Sequence, residues 1–421
     1  MTSFKLLTQK NFLPYFLVQS LGAMNDNLYK NVLLLFIAFV IPVGSSADSA
    51  LLVNLAAGLF ILPFFIFSGH AGWLADRYNK VNIIRRLKLL EVILMLSAAI
   101  SLYFQQLTLL FILLFFMGTQ SAYFGPIKYA ILPQVLPKNE LLGANALVEM
   151  ATFVAILVGT LLAGVVMAFE QAIIFACAGI IILAVLGWLA AAQIPQLPAT
   201  EEAKVMNIGQ ATKIAFYAAS KQAIKVIFTD KKLLYCILLI SWFWFLGASV
   251  LTQLPNLVKA YLSDNPAYVS ILLAVFSLAV GIGSLLSNYL NKGKVKFTLV
   301  VPAAYLMAAA CCGFVLTLGS GYDQVSQLLT TSALLTVLGI AGGVFIVPLY
   351  TFLQTQVSAN VRAQVIAANN IFNAIFMVVS AIVAIVILAI LQLSLGQYFV
   401  VLGLTTAMFV HYCMHKQYAC N

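Results

Sequence analysis

The chain has 421 residues, of which 63% are hydrophobic and only 8% charged, with a formal net charge of +10 and a mean hydropathy of +1.05. Soluble domains run at roughly 45–50% apolar and about 25% charged, so a water-soluble globule is excluded and lipid must solvate most of the surface.

Apolar runs long enough to cross a bilayer, roughly 20 residues each, follow one another along the chain. They fall at 12–40, 50–72, 82–104, 107–125, 141–168 and 171–192. After a polar stretch at 194–232 they resume at 233–258, 268–290, 297–318, 328–351, 364–390 and 395–415. The runs are continuous and not alternating, which excludes transmembrane β-strands. The first is too long for a cleavable signal peptide and carries Asp26 and Lys30. The expected fold class is an all-α membrane protein with twelve transmembrane helices. Its division is a six-helix half at 1–193, a cytoplasmic linker at 194–232 and a second six-helix half at 233–421.

The charge is unevenly placed. With the N-terminus taken as cytoplasmic, Lys5, Lys10, Arg77, Lys80, Arg85, Arg86, Lys88, Lys128, Lys231, Lys232, Lys292, Lys294, Lys296, Arg362 and Lys416 all fall at inner ends or loops. Lys259 lies at an outer end, and Asp48, Glu170, Asp264 and Asp323 fall in outer loops. The positive-inside rule then puts both termini in the cytoplasm. The basic residues report topology and nearby anionic headgroups, and nucleic acid is not an expected partner. Within the linker, Ile208, Ala211, Ala215, Ala218 and Ile224 alternate with Lys213, Lys221 and Lys225, which predicts an amphipathic helix over 207–229 on the inner membrane face. Pro195 and Pro198 stop the sixth span.

The halves share sequence. Gly69, Asn79 and Lys80 recur as Gly281, Asn291 and Lys292 at an offset of 212, where Asp76 becomes Asn288. Pro126, Gln134 and Val135 recur as Pro348, Gln356 and Val357 at 222. Asn145 meets Asn369 and Glu149 meets Asn373 at 224. Matches at equivalent spans in the same order define a parallel repeat, with its axis along the membrane normal.

Gly72-x-x-x-Asp76-Arg77 with Lys80 is the sharpest local pattern. A small Gly lets helices approach, and Asp76 at a helix end can pair with a basic neighbour or face a helix N-terminus. Such a contact can form in one conformation of a gate and break in the other. The bland reading is a helix stop followed by a topogenic basic cluster. Gly72-Trp-Leu-Ala-Asp-Arg-Tyr-Asn-Lys80 resembles the signature loop of the major facilitator superfamily, and the six-plus-six repeat fits that superfamily over nearly the whole chain. Gln19-Ser-Leu-Gly-Ala-Met-Asn-Asp26-Asn27, Phe124-Gly-Pro-Ile-Lys128 and Gly143-Ala-Asn145-Ala-Leu-Val-Glu149 are similar to the bacterial lysophospholipid transporter family, as are Gly342-Gly343-Val-Phe-Ile-Val-Pro348 and Leu353-Gln354. That resemblance implies inward flipping of lysophospholipids, chiefly lysophosphatidylethanolamine, across the inner membrane for re-acylation. Some relatives carry a fused acyltransferase. The expectation here is a transporter alone, with any acyltransferase a separate partner.

Polar residues inside the spans are the candidate substrate-binding groups, because a charge at mid-bilayer costs at least roughly 2.5–3.5 kcal/mol on insertion scales. Gln19, Ala23, Asp26 and Lys30 share one helical face, with Lys30 placed to pair with Asp26. Asn145, Glu149 and Thr152 share another, and Lys128 follows the Gly125-Pro126 break. The eleventh span offers only amides, Asn369, Asn370 and Asn373. One cavity wall is therefore expected to be ionic and the other amide-lined and apolar, suited to an amphiphile with a charged headgroup and one acyl chain. The competing reading of these residues is an internal salt-bridge set that only locks helices together.

The alternative function is a proton-coupled exporter of drugs or another amphipathic molecule. Such exporters usually carry a Gly-Pro-x-x-Gly-Gly stretch in span five, where this chain has Gly159 and Gly164 without proline. No nucleophile elbow, His-x4-Asp or phosphate loop points to an enzyme. No cofactor is implied. His411 and His415 are spaced i, i+4 near the end of the last span, but no carboxylate or cysteine cluster joins them or His70 to make a metal site, and the six cysteines form no CxxC pair.

Overall fold

The computed structural model describes residues 3–39, 46–197, 216–262, 265, 267–317 and 323–418. Twelve long helices run through it, numbered here in chain order. The first six are α1 (Leu13–Phe39), α2 (Ser46–Arg77), α3 (Lys80–Tyr103), α4 (Leu107–Ala130), α5 (Leu141–Met167) and α6 (Ala172–Ala192). The second six are α7 (Lys231–Leu251), α8 (Ala267–Leu290), α9 (Val300–Thr317), α10 (Gln324–Gln356), α11 (Arg362–Ala384) and α12 (Leu395–Tyr418). A linker helix, Phe216–Thr229, stands between the sets. Ten of the twelve are apolar and long enough to cross a membrane by composition alone; α1 and α3, which carry Asp26, Lys30, Lys88 and Glu91, complete the set.

The surface is inverted relative to a soluble protein. Leu62, Phe65, Ile93, Ile182, Ile282 and Leu306 are exposed, whereas Asp76, Lys88, Glu91, Asn145, Glu149 and Gln354 are buried. Lipid takes the apolar side chains, and the interior collects the polar ones, since an unpaired charge in hydrocarbon is costly.

Helix pairing repeats at an interval of six. In the first half α1 packs on α5, α2 on α4 and α3 on α6; in the second α7 packs on α11, α8 on α10 and α9 on α12. Between the halves, α2 meets α11 and α5 meets α8. The parallel repeat in sequence is thus a repeat of packing.

Pro126 does not end its helix as the sequence suggested. α4 continues through Pro126 to Ala130, so Lys128 lies within a helix and not after a break; α10 likewise runs through Pro348 to Gln356. Transmembrane helices accept proline because neighbouring helices and side chains re-satisfy the freed carbonyls. Asn79 of the signature loop is the N-cap of α3, its side chain accepting from the Val81 and Asn82 amides.

The linker helix differs from expectation in register and in what it covers. Its buried stripe is Ala219, Ala223 and Ile227, while Ala218 is exposed. That stripe docks on α2 and α11, so it covers protein. Gly69 on α2 faces the Ser220 backbone, where a Cβ would find no room. Ile208, Ala211, Lys213 and Ala215 lie outside the described residues.

Candidate functional site

A cavity of about 430 Å³ opens between the halves. Its charged wall belongs wholly to the first half: Asp26 and Lys30 from α1, Lys88 from α3 and Lys128 from α4. The second half contributes Trp244, Tyr350, Asn370, Asn373, Ala374 and Met377. Its apolar lining, the apolar slot, includes Ala57, Phe60, Ile61 and Phe64 of α2 with Ala374 and Met377 of α11.

Gln19, Ala23, Asp26 and Lys30 all face this cavity, as one helical face requires. Asp26 and Lys30 are not an ion pair, however, which corrects the sequence reading. Ser121 Oγ donates to Asp26 at 2.7 Å. Lys30 donates to Asn27 Oδ1 at 3.1 Å and lies 5.7 Å from the Phe60 ring centre. Four residues along a helix only permits a pair; here one neutral acceptor, Asn27, and the Phe60 face serve the ammonium. Lys128 donates to Thr152 Oγ1 at 2.7 Å and lies 5.2 Å from the Tyr129 ring.

Asn145, Glu149 and Asn369 are buried but lie outside the cavity wall, so these three of the seven candidate binding residues are placed in the seam and not in the site. Asn145 and Gln354 exchange amide hydrogen bonds across the halves at 2.7 and 2.9 Å, and Asn145 also donates to Thr351 at 3.0 Å. Tyr129 donates to one oxygen of Glu149, and the other oxygen has no hydrogen-bond partner. The Tyr129 ring stacks on Tyr350 with centres 4.2 Å apart and planes at 5°. Asn373 does line the cavity and accepts from Ser241 at 2.9 Å.

The same seam ends in the signature loop. Asp76, fully buried, accepts from the amides of Ala363 and Gln364 at 2.8 and 3.0 Å. These are the orphan N–H groups of the first turn of α11, where the helix dipole favours an anion. Of the two partners the sequence left open, the helix N-terminus is the one used. Gly72 makes this contact possible, because a Cβ there would lie 2.6 Å from the Ala363 carbonyl and from Ala367 Cβ. Arg77 turns away to stack over Trp73 at 4.5 Å, and Lys80 is buried at the start of α3. Asn288, the repeat counterpart of Asp76, donates to Ser3 Oγ at 2.8 Å. The halves are thus sealed at the basic end, while α1 and α7 barely touch among the described residues.

Lys88 and Glu91 escaped the sequence reading. Lys88, expected with the basic residues at inner ends or loops, is instead buried and bonds Glu91 at 2.6 Å, the one salt bridge among the described residues. Glu91 also accepts from Asn25 at 3.0 Å and Gln120 at 3.2 Å. Their i, i+3 spacing inside the run 82–104 was the available signal. Arg85 and Arg86 masked it by making Lys88 look like part of one topogenic cluster.

Two six-helix halves, sealed at one end around a central cavity with a charged wall in a lipid-embedded bundle, define a membrane transporter. The sequence model of the Major Facilitator Superfamily matches residues 12–381, and the chain belongs to that superfamily. It is similar to the "Lysophospholipid transporter LplT" of Serratia proteamaculans (strain 568), with 28% identity over 318 residues covering 74% of this chain and 73% of that protein. The protein of that name from Escherichia fergusonii is 27% identical over 323 residues, covering 74% of each. Among solved structures, the human organic anion transporter MFSD10 superposes with a TM-score of 0.75 at 13% identity, covering 96% of this chain and 99% of that one. The E. coli fucose:proton symporter FucP gives 0.70 at 13% identity, covering 97% and 99%. These structures share the fold alone.

Proposed function

We propose that the chain moves lysophospholipids, of the lysophosphatidylethanolamine kind, inward across the bacterial inner membrane by alternating access. In this reading the halves 1–193 and 233–421 rock about the central cavity, and both termini and the basic, sealed end are cytoplasmic. The observation that carries the proposal is the cavity wall. Three lysines and one carboxylate face an apolar slot, and Glu91 and Glu149 stand directly behind, bonded to Lys88 and to the wall residue Tyr129. Three formal cations balanced by three formal anions suit a zwitterionic headgroup, whose phosphate meets ammonium groups and whose amine meets Asp26. A single acyl chain fits between Phe60, Ile61 and Phe64 on one side and Met377 on the other. The similarity to curated lysophospholipid transporters over three quarters of the chain supports the same substrate class.

An exporter of cationic drugs is the second reading, and the surplus of lysines in the wall itself disfavours a cation. Proteoliposomes holding the purified chain separate the two. Uptake of radiolabelled lysophosphatidylethanolamine, reduced at least tenfold by Asp26→Asn, is the expected result. Transport of a cationic drug in its place would overturn the proposal.

A further inference from the structure

Lys88 belongs to α3, which packs on α4 and α6 at the side of the bundle, yet its side chain reaches the central cavity. A glycine clears the route: a Cβ on Gly22 of α1 would fall on the Lys88 ammonium, whereas one on Gly187 of α6 would make only ordinary contact with it at 3.7 Å. The Phe124 ring, also in the cavity wall, is centred 5.5 Å from Nζ. At the far end of this passage Glu91 holds the ammonium at 2.6 Å.

Such a pair is a poor device for stability alone. Buried ion pairs are often replaced by apolar residues at no loss, and an ionisable residue within a membrane bundle marks a substrate or ion pathway. Glu91 is moreover built to lose its cation, because Asn25 and Gln120 still donate to it when Lys88 leaves.

We propose that Lys88 is a phosphate-binding residue of the cavity. The phosphate of the bound lipid replaces Glu91 as partner of the ammonium, which swings past Gly22 into the site. Glu91 is its resting counter-ion, and Gly22 is a positioning residue. This inference rests on the transport reading above and assigns its anion contact.

The test compares binding of 1-oleoyl-lysophosphatidylethanolamine with mono-oleoylglycerol, which has the same chain and no phosphate, on the purified full chain in detergent. Wild type should prefer the phosphate lipid. Lys88→Gln should weaken that lipid roughly ten- to hundredfold, the range for a charge-assisted hydrogen bond, and leave mono-oleoylglycerol unchanged. Glu91→Gln, which releases the ammonium, should tighten the phosphate lipid severalfold; it decides the matter if Lys88→Gln does not fold. A wild type without preference overturns the lysophospholipid reading together with this inference. A preference that survives unchanged in Lys88→Gln, or in Glu91→Gln where only that variant folds, overturns this inference alone.

Discussion

Asp76→Asn tests the gate at its most informative atom. The carboxylate is buried and takes two backbone amides of α11, from Ala363 and Gln364, at 2.8 and 3.0 Å. A hydrogen bond to a charged group contributes about 1.5–3 kcal/mol, and a carboxylate at a helix N-terminus up to about 2 kcal/mol in partly buried geometry. Asparagine keeps one acceptor oxygen but turns an NH₂ donor toward the second N–H, so one bond becomes a clash of donors. The net weakening of the α2–α11 seam is about 2–4 kcal/mol, which shifts the sealed-to-open equilibrium at the basic end by roughly 30- to 1,000-fold. Hydrogen–deuterium exchange reads the perturbed groups directly, since the Ala363 and Gln364 amides are the donors. Their exchange in Asp76→Asn should accelerate by a factor in that range, while amides inside α9 and α12 stay as they were. Exchange at 363 and 364 equal to wild type would refute the reasoning, because it would mean the carboxylate does not hold the seam.

Gly72→Ala attacks the same seam by volume. Its Cβ would meet the backbone oxygen of Ala363 and Ala367 Cβ at 2.6 Å, and overpacking of this kind costs about 1–3 kcal/mol; transport should fall and exchange at Ala363 should rise. Asn145→Leu leaves Gln354 buried without its reciprocal amide partner, at about 1–3 kcal/mol, whereas Asn145→Leu with Gln354→Leu removes both polar groups. A double-mutant cycle read by thermal melting should therefore show the pair destabilised by less than the sum of the singles.

The fold was legible because two signals do not depend on tertiary detail: unbroken apolar length, and a repeat in which Asp76 aligns with Asn288 and Glu149 with Asn373. The cavity was legible in part. Asp26, Lys30, Lys128 and Asn373 line it, because a polar residue on the inward face of a span has few other places to go. Asn145, Glu149 and Asn369 obey the same rule but fall in the closed seam, and helical periodicity gives the face of a residue without saying whether that face meets water or another helix. Lys88 fails differently. Basic residues near a span end normally mark the inner boundary, and only three-dimensional packing shows that Gly22 lets this one turn inward. The Asp26–Lys30 pairing was an inference from spacing alone, and Ser121 and Asn27 take the two groups instead.

The repeat invites a symmetric second lock, and its failure to be symmetric is itself testable. Asn288 stands where Asp76 stands in the first half, close to the first turn of α5: its amide nitrogen lies 3.4 Å from where a Gly143 Cβ would be. By symmetry alone an aspartate at 288 would reproduce the Asp76 contact. The offset of 224, however, puts Asn139 and Glu140 where Ala363 and Gln364 stand. The Glu140 amide already donates to the Pro137 carbonyl at 3.0 Å, and its carboxylate, held by Gln9 at 3.2 Å, lines the same surface pocket as Asn288. This helix end already has its anion. Asn288→Asp alone should therefore loosen the α5–α8 seam, with a repulsion of about 0.2–1 kcal/mol between partly exposed carboxylates. In a Glu140→Gln background the same substitution should become neutral or tighten the seam, because the dipole of α5 then lacks its acid. Exchange of the amides from 139 to 143, followed in both single variants and the double, gives the coupling; strictly additive effects would show that Glu140 does not explain why the second half carries an amide where the first carries a charge.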